Sequence, residues 1–367
     1  MPKSSRQQRG ITLVEMMVAI TVGLILLAGI VELFVSNKQA FRLQEGSNAL
    51  NENARYLLNQ IEYDLRMAGF WGGVPRGGFD AFGSSGVTVV GTAPVGDCTQ
   101  SPALSLAGTP GESGYGVEGF DGAGASPLSC IAGADYQSNT DILIVRHGGA
   151  ERMSDAQVVA LPTTQFVRTD SDGVAEIFNG NTLNARYNPG PDPAANPLKS
   201  VPAGSNDRVA TYLENVAYYF VRPCASKGTA ATCGGGDSTP TLTRLALRNG
   251  SLVQEDIMAG VEQFQVLYGV DTVANDNSIA PTQFLNATAV TAGNFWDKVS
   301  EVRISFVLRN LQSDPAFTDT SPYLLYNGAT GSAGVGISYT PPANAQHFHR
   351  KVFRATVQIR NLSKVRG

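Results

Sequence analysis

Histidine is nearly missing from this chain: three occur in 367 residues, at His147, His347 and His349. No G-x-S-x-G, H-E-x-x-H, P-loop or zinc-type cysteine spacing occurs, so the common hydrolase, metalloprotease, nucleotide and zinc signatures are excluded. His347 and His349 stand two apart and are expected to share a strand face. That is half of a metal site with no third ligand in the sequence, so surface or packing roles are expected. His147 ends an apolar run beside Gly148-Gly149 and is expected in a turn. A positive excess is also absent. With 27 Lys and Arg against 31 Asp and Glu, the formal net charge is −4, which does not fit a generic nucleic-acid binder. No catalytic, cofactor or metal residue is assigned, and no enzyme is expected. Proline is absent between Lys3 and Pro75, which permits one long helix.

What is present begins with an apolar run. A basic stub (Lys3, Arg6, Arg9) ends in Gly10, and the run then starts abruptly at Ile11. From Ile11 to Val35 about 25 mostly apolar residues follow, enough for one bilayer crossing at 1.5 Å per residue. A secretory signal would have a shorter core and an A-x-A-type exit; here polar helical sequence continues without a break. Glu15 is the one carboxylate in the run before Glu32. An ionisable group inside a membrane helix costs roughly 2.5–3.5 kcal/mol on insertion scales, so it needs a partner or a function.

At Gly10, Ile11 and Glu15 the chain resembles the type IV prepilins and the type II secretion pseudopilins. Their signal is a short basic leader, a Gly, a cut, and a hydrophobic helix with Glu as its fifth residue. Ile11 stands where Phe is commonest. The resemblance implies cleavage between Gly10 and Ile11 by prepilin peptidase, N-methylation at Ile11, and a part for Glu15 in subunit assembly. A new amine at Ile11 would lie one turn from Glu15, within one chain or between neighbours. The leader's positive charge puts the N-terminus in the cytoplasm and residues beyond about 35 outside.

Past the apolar run, Leu50, Ala54, Leu57, Ile61, Leu65 and Ala68 recur every three or four residues. Glu52, Arg55, Asn59, Glu62 and Arg66 take the opposite face, with Glu62 and Arg66 a favourable i,i+4 pair. Gly69 fits a C-terminal stop, followed by Gly72-Gly73 and Pro75. The helix is therefore expected over Ile11–Ala68, about 87 Å long, with the stripe packed under the chain's own head.

Four cysteines on the outer side belong to an oxidising compartment and are expected in disulfides. Three connectivities exist. The sequence-local one, Cys98–Cys130 and Cys224–Cys233, is favoured because each pair brackets a Gly/Pro/Ser-rich loop. Residues 69–139 are about one quarter glycine, against a usual ~7%, and are expected to form a disulfide-braced loop region. Gly114-Tyr-Gly116-Val-Glu-Gly119 spells G-x-G-x-x-G, but Thr109-Pro110-Gly111 precedes it where a strand belongs, so a nucleotide site is rejected.

Strands are expected at Asp141–Arg146, Ala156–Leu161, Gln165–Arg168, Val216–Val221 and Leu242–Arg248. Val261–Tyr268, Val299–Leu308 and Val352–Ile359 alternate as half-buried strands do. Tyr187–Asn206 and Pro315–Ala345 are expected to be mostly loop. One long helix followed by many antiparallel strands makes the class α+β. The blocks Asp141–Arg146, Val261–Asp271, Val302–Arg309 and Arg350–Asn361 resemble those of PilW-type minor pilins. Members often carry a calcium-like loop after the second block. Here Val273 and Asp276 break that pattern across Asp271–Asn277, so a solvated turn is expected.

The organisation that follows is a leader at 1–10, a transmembrane helix at 11–35, its amphipathic continuation at 36–68, the loop region at 69–139 and a β-rich outer domain at 140–367. The resemblance implies a single-pass inner-membrane protein with a periplasmic head that enters the pilus at the cell surface. Its partners would be other minor pilins, the major pilin, prepilin peptidase and the inner-membrane assembly platform. A J-type pseudopilin of type II secretion and a pilus-tip adhesin are the alternatives. No cofactor and no direct nucleic-acid partner are expected.

Overall fold

In the computed structural model of the protein, residues 12–72, 89–90, 116–128, 130–169, 175–183, 209–225, 233, 237–272, 280–326 and 336–361 are described. Two compact units divide at Glu52/Asn53. The described residues of the first are almost all helix, the N-terminal part of α1 (Leu13–Met67). Its large apolar side chains from Leu13 to Val35 are all exposed, as suits a lipid-facing surface, and the helix is long and apolar enough to cross a membrane.

The second unit is the head, and the last turns of α1 belong to it. There Ala54, Leu57, Ile61, Leu65 and Ala68 are buried to 1% exposure or less, the stripe that the 3–4 spacing predicts. Glu62 and Arg66 pair on the outer side at 3.0 Å. The helix ends where Gly69 takes a φ of 71°, a left-handed turn that only glycine adopts without strain. Asn361 then supplies what the helix end lacks. Its side-chain amide donates to the carbonyls of Arg66, Met67 and Ala68 at 3.2–3.3 Å, at the helix end where the last carbonyls run out of intrahelical donors; the Met67 carbonyl also accepts the Phe70 N–H at 2.9 Å.

The strands are β1 (Val89–Val90), β2 (Val117–Phe120), β3 (Ile142–Met153), β4 (Gln165–Thr169), β5 (Ala175–Asn179), β6 (Ala210–Arg222), β7 (Thr241–Arg248), β8 (Ser251–Ala259), β9 (Val261–Val270), β10 (Gln283–Leu285), β11 (Val299–Arg309), β12 (Tyr323–Tyr326), β13 (Ile337–Tyr339) and β14 (Arg350–Gln358). The first sheet runs β1-β5-β4-β6-β3-β2, with β7 also on β6 and β8 on β7. The second runs β10-β9-β11-β14, and β12-β13 form a separate pair. All pairings are antiparallel except β1 with β5, so the α+β reading holds.

Five local expectations change. Ala156–Leu161 is not a strand. Ser154 and Gln157 close a capping box that starts the short helix α2 (Asp155–Val159), and this local bonding turns the chain before the apolar residues can extend. His147 is not in a turn but inside β3, buried and paired with Asn215 of β6. β9 is not half-buried: all ten of its residues are buried. The reason is the β12–β13 pair, which covers the second face by packing Leu325 and Tyr326 against Leu267 and Val307. That pair also interrupts the 315–345 stretch expected to be mostly loop.

The fifth concerns His347 and His349, which precede β14 and share no strand. His347 lies by the Phe317 carbonyl at 2.6 Å, and His349 pairs with Asp314 at 3.2 Å and stacks on Phe317. Within the glycine-rich stretch, β2 carries Gly119, where a Cβ would collide with the Tyr268 hydroxyl. Close packing therefore explains that glycine of the rejected nucleotide fingerprint. Tyr187–Asn206 and most of Asp271–Asn277 lie outside the described residues.

Candidate functional site

The polar start of the apolar helix is self-contained. Thr12 precedes α1, and its hydroxyl accepts the Glu15 N–H at 3.3 Å. Glu15 Oε2 in turn accepts the Thr12 N–H and hydroxyl, each at 2.9 Å. This reciprocal capping box satisfies donors that the first helical turn leaves open. Thr12-x-x-Glu15 is itself the sequence signal for it, so the carboxylate has a local partner that reasoning from membrane cost alone overlooks. Gly10 and Ile11 lie outside the described residues.

At the other end of the helix sits a second carboxylate, Asp64, buried at 6% exposure. It falls on the apolar stripe between Ile61 and Ala68, and a carboxylate at a stripe position signals a buried partner. Three strands supply that partner. Tyr219 of β6 donates its hydroxyl to Asp64 Oδ2 at 2.5 Å. Arg244 of β7 approaches the same oxygen at 3.4 Å, and His147 of β3 stands 4.0 Å from Oδ1. Arg244 also holds Glu255 of β8 at 2.5 Å, and Arg248 reaches Glu255 at 3.3 Å.

Burial, with Asp64 alongside, pushes the Tyr219 phenol well above its usual value, so it stays protonated and keeps donating. Burial pushes His147 down, against its bond to the Gly148 carbonyl and the Asp64 charge. A groove of about 470 Å³ opens beside this junction, bordered by Tyr63, His147, Asn215 and Arg248. Among the described residues no group of three or more His, Cys, Asp or Glu is placed to hold a metal. The arrangement fixes the end of α1 to the first sheet.

Among the other buried carboxyls of the head, Asp141 and Glu214 have pKa values pushed far up. Asp141 joins the sheets, accepting the Val266 N–H at 2.7 Å and the Gly122 N–H at 2.8 Å, and burial pushes it up to about 8. Glu214 is different, because neither of its oxygens has a hydrogen-bond partner among the described residues. Burial pushes it up to about 8 from an ordinary 4.5, against the pull of Arg146. A group with a raised folded-state pKa gives its full stability below the unfolded value and loses it as pH rises through the folded one. The Glu214 contribution should therefore fall from about pH 4.5 to about pH 8, by up to about 1.4 kcal/mol per pH unit. Glu214→Gln should match wild type near pH 4 and become progressively more stable towards pH 8. Asp141 and His147 act in both proteins and cancel from the comparison. Parallel denaturation midpoints across that range would show that Glu214 ionises freely in the fold.

The cysteines divide in the same way as the helix start. Cys224 and Cys233 form a disulfide with their Cα atoms 5.6 Å apart. Cys130 is disulfide-bonded as well, while Cys98 lies outside the described residues.

Residues 5–31 match the prokaryotic N-terminal methylation motif, a span that includes Gly10, Ile11 and Glu15. Residues 219–361 match the type IV pilus-assembly protein W family. That match begins at Tyr219, which holds Asp64, and ends at Asn361, which caps the helix. Among solved structures, a type IV-like pilin from Thermus thermophilus is similar at 18% identity over 41% of this chain and 80% of that one. The TM-score is 0.19, too low to bear on the fold. No curated protein is significantly similar. With the methylation motif on its apolar helix and the assembly-protein W match over strands that hold the helix end, the two matches support a PilW-type minor pilin.

Proposed function

We propose that the chain is cut between Gly10 and Ile11 by prepilin peptidase, methylated at Ile11, and drawn from the inner membrane into a type IV pilus. In that role it joins other minor pilins and the major pilin on the assembly platform. There it takes part in the complex that primes the fibre and remains at its tip, supporting motility, adhesion or DNA uptake. The observation that carries this reading is the pairing of a methylation motif at residues 5–31 with an exposed apolar helix beginning at Leu13. A helix with no packed face needs either lipid or other helices, and a pilus offers the second when the first is left behind. The head holds the end of that helix through Tyr219, Arg244 and Asn361.

Processing gives the direct test. Intact-mass analysis of the membrane-bound protein should show loss of residues 1–10 and the mass of one added methyl group. A retained leader, or a cut after Val35, would defeat the proposal. Co-purification from detergent separates the fibre from its relative. Pilus subunits as partners support the reading, and type II secretion pseudopilins replace it with the secretion role.

A further inference from the structure

The disulfide between Cys224 and Cys233 has an unusual neighbour. Strand β6 ends at Arg222, whose side chain is only 1% exposed. Its Nη2 lies 3.2 Å from Cys224 Sγ and 3.7 Å from Cys233 Sγ. Nη1 pairs with Asp256 of β8 at 2.9 Å, and that carboxylate is 42% exposed. Nε stands 3.9 Å from Asp135, which is committed to the Cys233 N–H at 2.9 Å. A buried guanidinium thus directs an N–H at sulfur. A neutral disulfide is a weak acceptor, but a thiolate in the same place would take a charge-assisted bond. The two sulfurs also differ in access, since Cys224 is fully buried and Cys233 is half-buried.

We propose that Cys224–Cys233 is an exchange site for a protein dithiol, a thiol–disulfide oxidoreductase of the outer compartment. Attack falls on Cys233, and Cys224 is the leaving thiolate. The incoming thiolate forms a bond to Cys233 Sγ, the Sγ–Sγ bond breaks, and the electron pair stays on Cys224 Sγ opposite Arg222. The second thiol of the reagent, as thiolate, then attacks its own sulfur in the mixed disulfide. Cys233 leaves with the electron pair and takes a proton from water, while the reagent carries away a disulfide. The reverse sequence closes the bridge. A leaving thiol of lower pKa departs faster, and a neighbouring arginine lowers it. Arg222 therefore acts as a positioning residue that makes this bridge exchangeable. The bridge lies in the connection from β6 to β7.

The test uses the full chain in detergent with limiting dithiothreitol, quenched by alkylation and read by peptide mass. Cys130 is the control, because it is disulfide-bonded and half-buried like Cys233. Cys224 and Cys233 should be alkylated about tenfold sooner than Cys130. With oxidised glutathione, Cys224→Ser should form a mixed disulfide at Cys233, whereas Cys233→Ser should leave Cys224 unmodified. Arg222→Gln should slow opening by about tenfold, and Arg222→Lys should restore much of the rate. Equal opening of the two bridges, or glutathione on Cys224 in place of Cys233, would overturn the proposal. The glutathione comparison does not depend on the Arg222 variants folding.

Discussion

Glu15→Gln should leave the helix start intact and still keep the protein out of the pilus. A glutamine retains a side-chain oxygen for the Thr12 N–H, so the capping box survives while the charge is lost. The proposed leader cleavage would place an amine on Ile11, largely protonated at neutral pH. In lipid, or between packed helices, low dielectric favours pairing that amine with a carboxylate over leaving either alone. On the proposed function, a subunit entering the fibre would exchange its lipid surroundings for neighbouring helices, and Glu15 would then reward the axial position that brings it to a neighbour's Ile11. Incorporation, scored as protein in sheared pili from a complemented deletion strain, should fall by roughly an order of magnitude for Glu15→Gln and Glu15→Val.

Thr12→Val separates the two roles, since it removes the hydroxyl at the cap and keeps the carboxylate. It should incorporate nearly as wild type does. The reverse outcome, with Glu15→Gln assembling normally and Thr12→Val failing, would reduce Glu15 to a helix cap. A place at the very tip leaves one side of the subunit without a neighbour. The effect is therefore read against the same substitution in a minor pilin from lower in the complex.

The largest change in stability is expected at Glu262. Its carboxylate lies between two buried arginines, 3.1 Å from Arg309 and 2.5 Å from Arg350, whose side chains are 6% and 0% exposed. Asp319 helps Arg350 from 3.2 Å, but Glu262 is the group that faces both. Glu262→Ala removes the carboxylate from Arg309, which keeps a neutral acceptor in the Ser238 carbonyl at 3.1 Å, and leaves Arg350 with Asp319. Removing one member of a buried ionic group typically costs about 3–5 kcal/mol. The paired control is Glu62→Ala, which breaks the bond to Arg66 on a helix face where the two side chains are 30% and 61% exposed. An exposed pair contributes at most about 1 kcal/mol. Chemical denaturation of both variants in the same detergent decides the matter. Losses of similar size would mean that water reaches the Glu262 cluster.

These two carboxylates mark what a sequence does and does not disclose. The stripe from Ala54 to Ala68 was legible because helical spacing writes burial directly into residue order, and the alternation of Val302, Ile304, Phe306 and Leu308 did the same for β11. The Thr12–Glu15 box was legible too, although membrane cost pointed past it. Glu262 was not. Its strand alternates as if one side met solvent, and only a separate strand pair more than fifty residues later covers that side. Asp64 gave half a message, a charge on an apolar stripe, without naming Tyr219 as its partner. Strand β8 escaped altogether, because Leu252-Val253 and Ile257-Met258 fall in pairs and blur the period of two. The α2 segment failed in the opposite sense, where an apolar run reads as strand until Ser154 and Gln157 are weighed.

The bond from Asn361 to the end of α1 carries a consequence for the order of folding. It joins residues 295, 294 and 293 positions apart, so the helix emerges from synthesis long before its final acceptors find a donor. Loop closure over such distances is slow compared with forming a helix. During that interval the anchor is already seated in lipid while the stripe from Ala54 to Ala68 waits, uncovered, on the outer side. The strand that precedes Asn361 is also an edge of its sheet, so one late event adds the strand and seals the helix together. A head that has not reached this point still exposes apolar helix to the chaperones and proteases of its compartment. Completion of the last strand thus separates finished heads from those still being made.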